Sequence, residues 1–160
     1  MPGVLQDPGY ISALFTMMTE FHGSRSDVDS AVAARLERSK VVRHGDHRFA
    51  ILIEEAVLRY RIGDDEAMVN QLVQLLSAMA LPSVSLRVIP DSAPRSMWPV
   101  ETFSIYDDEL VSIELLGAQV QITTPTDVNL YVRAFSALSE MAVSGKEARS
   151  LITAAMQVLE

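Results

Sequence analysis

The chain has 160 residues, 49% of them apolar, and a formal net charge of −8, with 13 Lys and Arg against 21 Asp and Glu. This length supports one well-packed domain rather than two ordinary ones, and an acidic surface with scattered cations argues against direct binding of nucleic acid by this chain. Cysteine is absent, which excludes a disulfide framework, a thiolate metal site and a cysteine nucleophile.

The N-terminus lacks a charged-then-apolar signal pattern, and no apolar run reaches bilayer length, so a cytoplasmic protein with no membrane partner is expected. A first helix is predicted from Pro8 or Gly9 to Phe21, with Ile11, Leu14, Phe15, Met18 and Phe21 on one face. Gly23 ends it. Ser26, with Asp29 three residues on, reads as the cap of a second helix whose apolar stripe is Val28, Val32 and Leu36. Arg35, Arg38 and Lys40 follow towards its C-terminal end, where cations suit the helix dipole.

After a turn at His44-Gly45-Asp46-His47, the apolar run Phe49 to Ile53 reads as a strand covered on both faces, ending in the acids Glu54 and Glu55. A turn at Gly63 leads to a third helix that opens with Asp64, Asp65 and Glu66 and buries Met68, Leu72, Leu75, Leu76 and Met79. The next strand alternates Val84, Leu86 and Val88 with Ser83, Ser85 and Arg87, and stops at Pro90. Together these form a β-α-β unit with parallel strands, because the connection is long enough for a helical crossover.

A loop rich in proline and serine precedes three short strands, Val100–Tyr106, Leu110–Leu116 and Gln119–Thr123, joined by turns at Asp107-Asp108 and Gly117. Two helices follow. Thr124-Pro125-Thr126-Asp127 and Ser144-Gly145-Lys146-Glu147 supply their start signals. The expected fold is α+β: a single domain with a mixed sheet of about five strands, a β-α-β unit, and two N-terminal and two C-terminal helices packed on the sheet.

Several residues can carry chemistry. Glu54 and Glu55 end a strand, where α/β ligands bind, and Glu114 is expected on a nearby strand. Two carboxylates there serve acid-base work, or else Glu55 caps the following turn and Glu114 pairs with Arg59 or Arg87. Tyr106 and His22 are further catalytic candidates, and His22 equally suits the dipole at the end of its helix. His44 and His47 flank a glycine turn, so no metal site is expected of them. Trp98, the sole tryptophan, sits beside Met97 between prolines and reads as a pocket lid, a protein contact or simple packing onto the sheet. Met17, Met18, Met68 and Met79 are expected in the core. No P-loop, nucleophile elbow or dinucleotide glycine pattern is present, so no cofactor is expected.

Taken in order, Pro2-Gly3-Val4-Leu5-Gln6 with Tyr10, Arg35-Leu36-Glu37-Arg38, Glu55-Ala56-Val57-Leu58-Arg59 with Gly63, Met68, Gln71-Leu72, Leu75, the Val84 to Pro90 strand, Phe103, Glu114 and the Phe135 to Ile152 tail resemble a known family. It is the domain of unknown function behind the helix-turn-helix of Xre-family, antitoxin-like transcriptional regulators of actinobacteria. Such regulators carry roughly 100 residues ahead of the Pro-Gly motif, the size of a DNA-binding domain and its connection. Here the chain begins at that motif, so no helix-turn-helix is expected. It departs from the pattern at Asp7, Ser39 and Ala148, and most of all at Asp91 to Pro99, where a glycine-rich segment is usual.

The resemblance implies a regulatory domain sensing a small-molecule ligand or a protein partner, acting as a homodimer, with Trp98, Met97, Arg59, Glu55 and Glu114 as ligand-binding candidates. The alternative is a stand-alone biosynthetic enzyme of secondary metabolism, an acid-base isomerase or cyclase acting on an apolar metabolite. Glu54, Glu55, Glu114, Tyr106 and His22 would serve it.

Overall fold

A computed structural model describes residues 1–23 and 27–159. The Ser26 cap expected for the second helix lies outside the described residues. The elements are α1 (Pro8–His22), α2 (Val28–Ser39), β1 (Phe49–Glu54), α3 (Asp65–Ala78), β2 (Val84–Ile89), β3 (Phe103–Tyr106), β4 (Leu110–Glu114), β5 (Gln119–Ile122), α4 (Pro125–Glu140) and α5 (Gly145–Gln157). The class is α+β, as expected. The strands, however, form two sheets, one of β1 and β2 and one ordered β3-β4-β5, rather than one mixed sheet. The chain divides into two compact units, Met1–Asp91 with Val143–Glu160, and Ser92–Ala142.

Local chemistry sets most helix starts. Asp7 caps α1 by accepting from the Gly9 N–H at 2.9 Å, and Pro8 takes the first helical position, where a missing N–H costs nothing. Asp27 caps α2 through the Ser30 N–H at 3.1 Å, and Asp64 caps α3 through the Ala67 N–H at 2.8 Å. At α4 and α5 the expected cap residues Thr124 and Ser144 occupy the N-cap positions, but their hydroxyls make no cap bond. Pro125 and the acids of the first turns favour those starts instead.

In the first unit β1 and β2 run parallel, with Phe49 opposite Val84 and Glu54 opposite Ile89. The strand β2 alternates as expected, burying Val84, Leu86, Val88 and Ile89. In β1 only Ile53 is buried and Ala50 is exposed, so the strand is not covered on both faces. A sheet of two strands leaves an open edge, and the apolar run is covered only where helices reach it. Val143 makes paired backbone bonds with Val88, at 3.0 and 2.8 Å, which fasten the start of the last segment to β2. The core gathers Leu5, Leu58, Leu72, Leu75, Val88, Ala148 and Ile152.

The N-terminal segment is held by a buried amide. Gln71, on the inward face of α3, is fully buried; its Nε2 donates to the Leu5 carbonyl at 2.8 Å and its Oε1 accepts from the Asp7 N–H at 2.8 Å. One side chain thus satisfies two backbone groups of an irregular segment and lets Leu5 enter the core. Nearby, the Arg35 guanidinium lies 5.2 Å from the Phe15 ring centroid and donates to Gln6 Oε1 at 3.4 Å. Gly3 gives it room, since a Cβ there would meet Arg35 Nη1 at 2.2 Å. Met17 and Met18, expected in the core, are exposed instead. The buried residues of α1 are Tyr10 and Ile11 in its first turn; Leu14 and Phe15 are half-buried, and Phe21, expected on the same face, is exposed with the two methionines.

In the second unit α4 covers one face of the three-stranded sheet. Val111, Ile113 and Val128 form the core cluster between them, with Phe103, Ile105, Ile122, Tyr131 and Val132 around it. Antiparallel register leaves Ser104, Ser112 and Gln121 abreast on the opposite, solvent face. The turn after β3 places Asp107 and Asp108 at φ values of 50° and 56°, and the Glu109 N–H closes onto the Tyr106 carbonyl at 3.0 Å. Two consecutive positive φ angles match the right-handed twist of the flanking strands, at a steric cost to both aspartates.

Two outcomes follow from these features. Gln71→Met keeps the volume but strands a buried N–H and a buried C=O, so it should lower stability by about 2–4 kcal/mol; a shift under about 0.5 kcal/mol in denaturant unfolding contradicts the clamp. Replacing Asp107-Asp108 with Asn-Gly should raise stability by about 1 kcal/mol, read as a higher melting temperature.

Candidate functional site

The carboxyl ends of β1 and β2 converge on one acid. The strand β1 stops at Glu54, and Glu55–Arg59 forms a 3-10 turn rather than a continuation of the strand. This turn places Arg59 one helical step from Glu55. Arg59 Nη2 donates to Glu55 Oε1 at 2.6 Å, and the backbone N–H of Asp91 donates to Oε2 at 2.9 Å. Arg59 Nη1 lies 3.4 Å from Asp91 Oδ2, which closes a triangle. Both oxygens of a carboxylate only 8% exposed are engaged. The strand end, the 3-10 turn and the residue after Pro90 are therefore tied through one side chain.

The electrostatics follow from those contacts. The Asp91 N–H holds the Glu55 carboxyl below the usual carboxylate range; burial opposes it, and the Arg59 hydrogen bond and charge reinforce it. Glu55 is thus kept ionised, with one protein donor on each carboxylate oxygen. An arrangement of this kind fixes backbone and is poorly suited to giving or taking a proton.

The other sequence candidates fall elsewhere. Glu54 is half-buried at the end of β1 and is engaged in interactions of its own. Arg59, expected as a partner for Glu114 or as a ligand-binding residue, binds Glu55 and Asp91 instead. Glu114 ends β4 opposite Gln119, and Tyr106 ends β3 opposite Leu110. Both are exposed on the solvent face of the second sheet, but they sit at opposite ends of β4, about 13 Å apart along the strand. His22 is exposed at the end of α1, edge-on to Phe21 at 5.4 Å. No group of three or more His, Asp or Glu is gathered to hold a metal among the described residues.

The loop of the second unit keeps Trp98 in solvent. Its side chain is 71% exposed, and Met97 is half-buried beside it. The loop is anchored by the Ser96 N–H, which donates to Met141 Sδ at 3.3 Å. Near its far end Glu101 Oε1 accepts from the Tyr131 hydroxyl at 2.6 Å, and Tyr131 stacks edge-on against Phe103 at 5.0 Å. That hydrogen bond lowers the Glu101 carboxyl and raises the Tyr131 hydroxyl from their ordinary values. Packing of Trp98 onto the sheet is not observed. Leu115, Leu116, Val120 and Leu130 add further exposed apolar surface, Leu116 at 77%.

Sequence reading missed Asp91 and Gln71. Asp91 acts through its backbone N–H, which no side-chain pattern reveals, although its place just after the proline that ends β2 marks a strand-end position. Gln71 stands between Met68 and Leu75 on the apolar stripe of α3, and a polar residue on such a stripe is the available signal.

A prediction follows for pH. Because the folded state lowers the Glu55 carboxyl, its contribution to stability is present above the ordinary value of 4.5 and is lost as pH falls through the lowered value. Glu55→Gln should therefore be less stable than wild type at neutral pH, and the gap should narrow below about pH 4.5. Chemical unfolding across pH measures this, and a gap that widens in acid contradicts the clamp.

No curated protein and no solved structure matches the chain. The model of a family described as a domain of unknown function, DUF5753, matches residues 1–154 and so runs through both units. The chain belongs to the DUF5753 family.

Proposed function

We propose that this chain is a regulatory domain that senses a partner or ligand by association, as its sequence resemblance to the domain behind the helix-turn-helix of Xre-family regulators implies, and that it pairs with a second copy of itself through β5. The observation that carries the pairing is the edge of the second sheet. In the order β3-β4-β5, β5 has one free edge. Its residues Gln119, Val120, Gln121 and Ile122 include no charge and no proline, the devices that normally protect an edge strand.

An exposed edge of this kind pairs antiparallel with its own copy about a two-fold axis, since one strand used twice is self-complementary. The turn before it carries Leu115 and Leu116 in solvent, apolar surface that such pairing is placed to cover. Trp98 belongs to the same unit and is the natural reporter of a ligand or partner there. The commitment of Glu55 to Arg59 and Asp91 favours this reading over acid-base catalysis.

Sedimentation equilibrium tests the pairing. The wild-type chain should behave as a dimer at micromolar concentration. Gln119→Lys with Gln121→Lys, both exposed, should shift it to monomer by setting like charges across the two-fold axis, with its circular dichroism unchanged. A wild-type monomer, or a variant that remains dimeric, contradicts pairing through β5.

A further inference from the structure

We infer that the first unit carries a phosphoryl-binding cleft at the amino ends of β1 and β2, separate from the association surface proposed above. The cleft has a volume of about 230 Å3 and is walled by the turn before β1, through Arg43, Asp46, His47 and Arg48, and by the turn before β2, through Leu81 and Ser83. This volume is below the range of pockets that enclose a whole metabolite. It suits the head group of a ligand whose remainder stays in solvent.

Charge points to an anion. The chain carries a net charge of −8, yet residues 38–48 hold Arg38, Lys40, Arg43 and Arg48 against Asp46 alone. Of these cations, Lys40 pairs with Glu37 outside the cleft. Arg43 makes no ion pair among the described residues. Arg48 is held in place: its Nη1 donates to the Pro82 carbonyl at 3.0 Å, which fixes the guanidinium and leaves its other donors for a ligand.

The cleft is also shaped by local packing. Gly45 has a φ of 84°, and a Cβ there would approach His47 Cδ2 to 3.3 Å, so the imidazole lies against the glycine. The ring also meets Phe49 edge-on, with centroids 6.3 Å apart. Ser83 Oγ donates to the Val42 carbonyl and joins the two walls. Two guanidinium groups border one cleft, and the several oxygens of a phosphomonoester can accept hydrogen bonds from both. The Asp46 carboxylate in the same wall opposes any anion, so the contacts that win must be directed ones rather than net charge alone.

The test uses the full chain with inorganic phosphate as probe. Backbone amide NMR shifts are followed against chloride at constant ionic strength, which holds general screening fixed. Phosphate should produce saturable shifts confined to residues 42–48 and 81–83. Arg43→Gln should weaken binding roughly tenfold or more, and Arg48→Lys, which keeps charge but loses the fork, should weaken it severalfold. Asp46→Asn should tighten binding, a change that a purely structural role for the turn would not give. Glycerol phosphate in solution and vesicles of phosphatidylcholine containing phosphatidic acid separate the two sources of the group. Saturation of the same resonances by glycerol phosphate assigns a soluble phosphomonoester, whereas Arg43-dependent sedimentation with the vesicles alone assigns a lipid head group. Shifts that do not saturate, that chloride reproduces, or that Arg43→Gln and Asp46→Asn leave unchanged overturn the proposal.

Discussion

The first unit depends on a carboxylate that bridges the ends of its two parallel strands. A parallel pair has no hairpin to hold its register, so its ends must be fixed through tertiary contacts. Glu55 does this from the first residue after β1 by accepting from Arg59 on one oxygen and from the Asp91 backbone on the other. The amino ends of the same strands meet at the Arg43 to Arg48 turn and the Leu81 to Ser83 turn. Val143 completes the arrangement by bonding the far edge of β2. Fixing both ends of a small sheet gives α3 and α5 a firm surface on which Leu72, Leu75 and Ile152 pack.

The second unit is organised differently. It is a three-stranded antiparallel sheet with one helix, a small core and much exposed apolar surface. Its edge strand β5 carries no charge and no proline, and its loop sets the sole tryptophan in water. Charge clamping organises the first unit, and exposed apolar surface marks the second. Of the side chains that look catalytic in sequence, Glu55 is committed to Arg59 and Asp91, and Glu114 and Tyr106 stand apart on a solvated face.

Much of the fold was legible in the sequence because it is written locally. Pro8, Asp64 and Pro125 mark helix starts through chemistry contained within a few residues, and the length between Ile53 and Val84 requires a crossover. The separation of the strands into two sheets was not legible, since pairing is decided by contacts distant in sequence and nothing in the Asp91 to Thr102 segment states it. Glu55 with Arg59 was partly legible, being four residues apart. Its bond from Asp91 spans 36 positions and uses a backbone N–H. The exposure of Met17 and Met18 was hidden because composition reports apolar character without reporting what covers it.

Glu55 is an ionised clamp rather than a proton donor or acceptor. The most direct measurement is the NMR titration of its side-chain carboxyl carbon in the folded chain. The clamp predicts a midpoint below the ordinary value of 4.5, moving upward in Arg59→Gln. A midpoint above 4.5 in the wild-type protein would contradict it and return Glu55 to the list of catalytic acids.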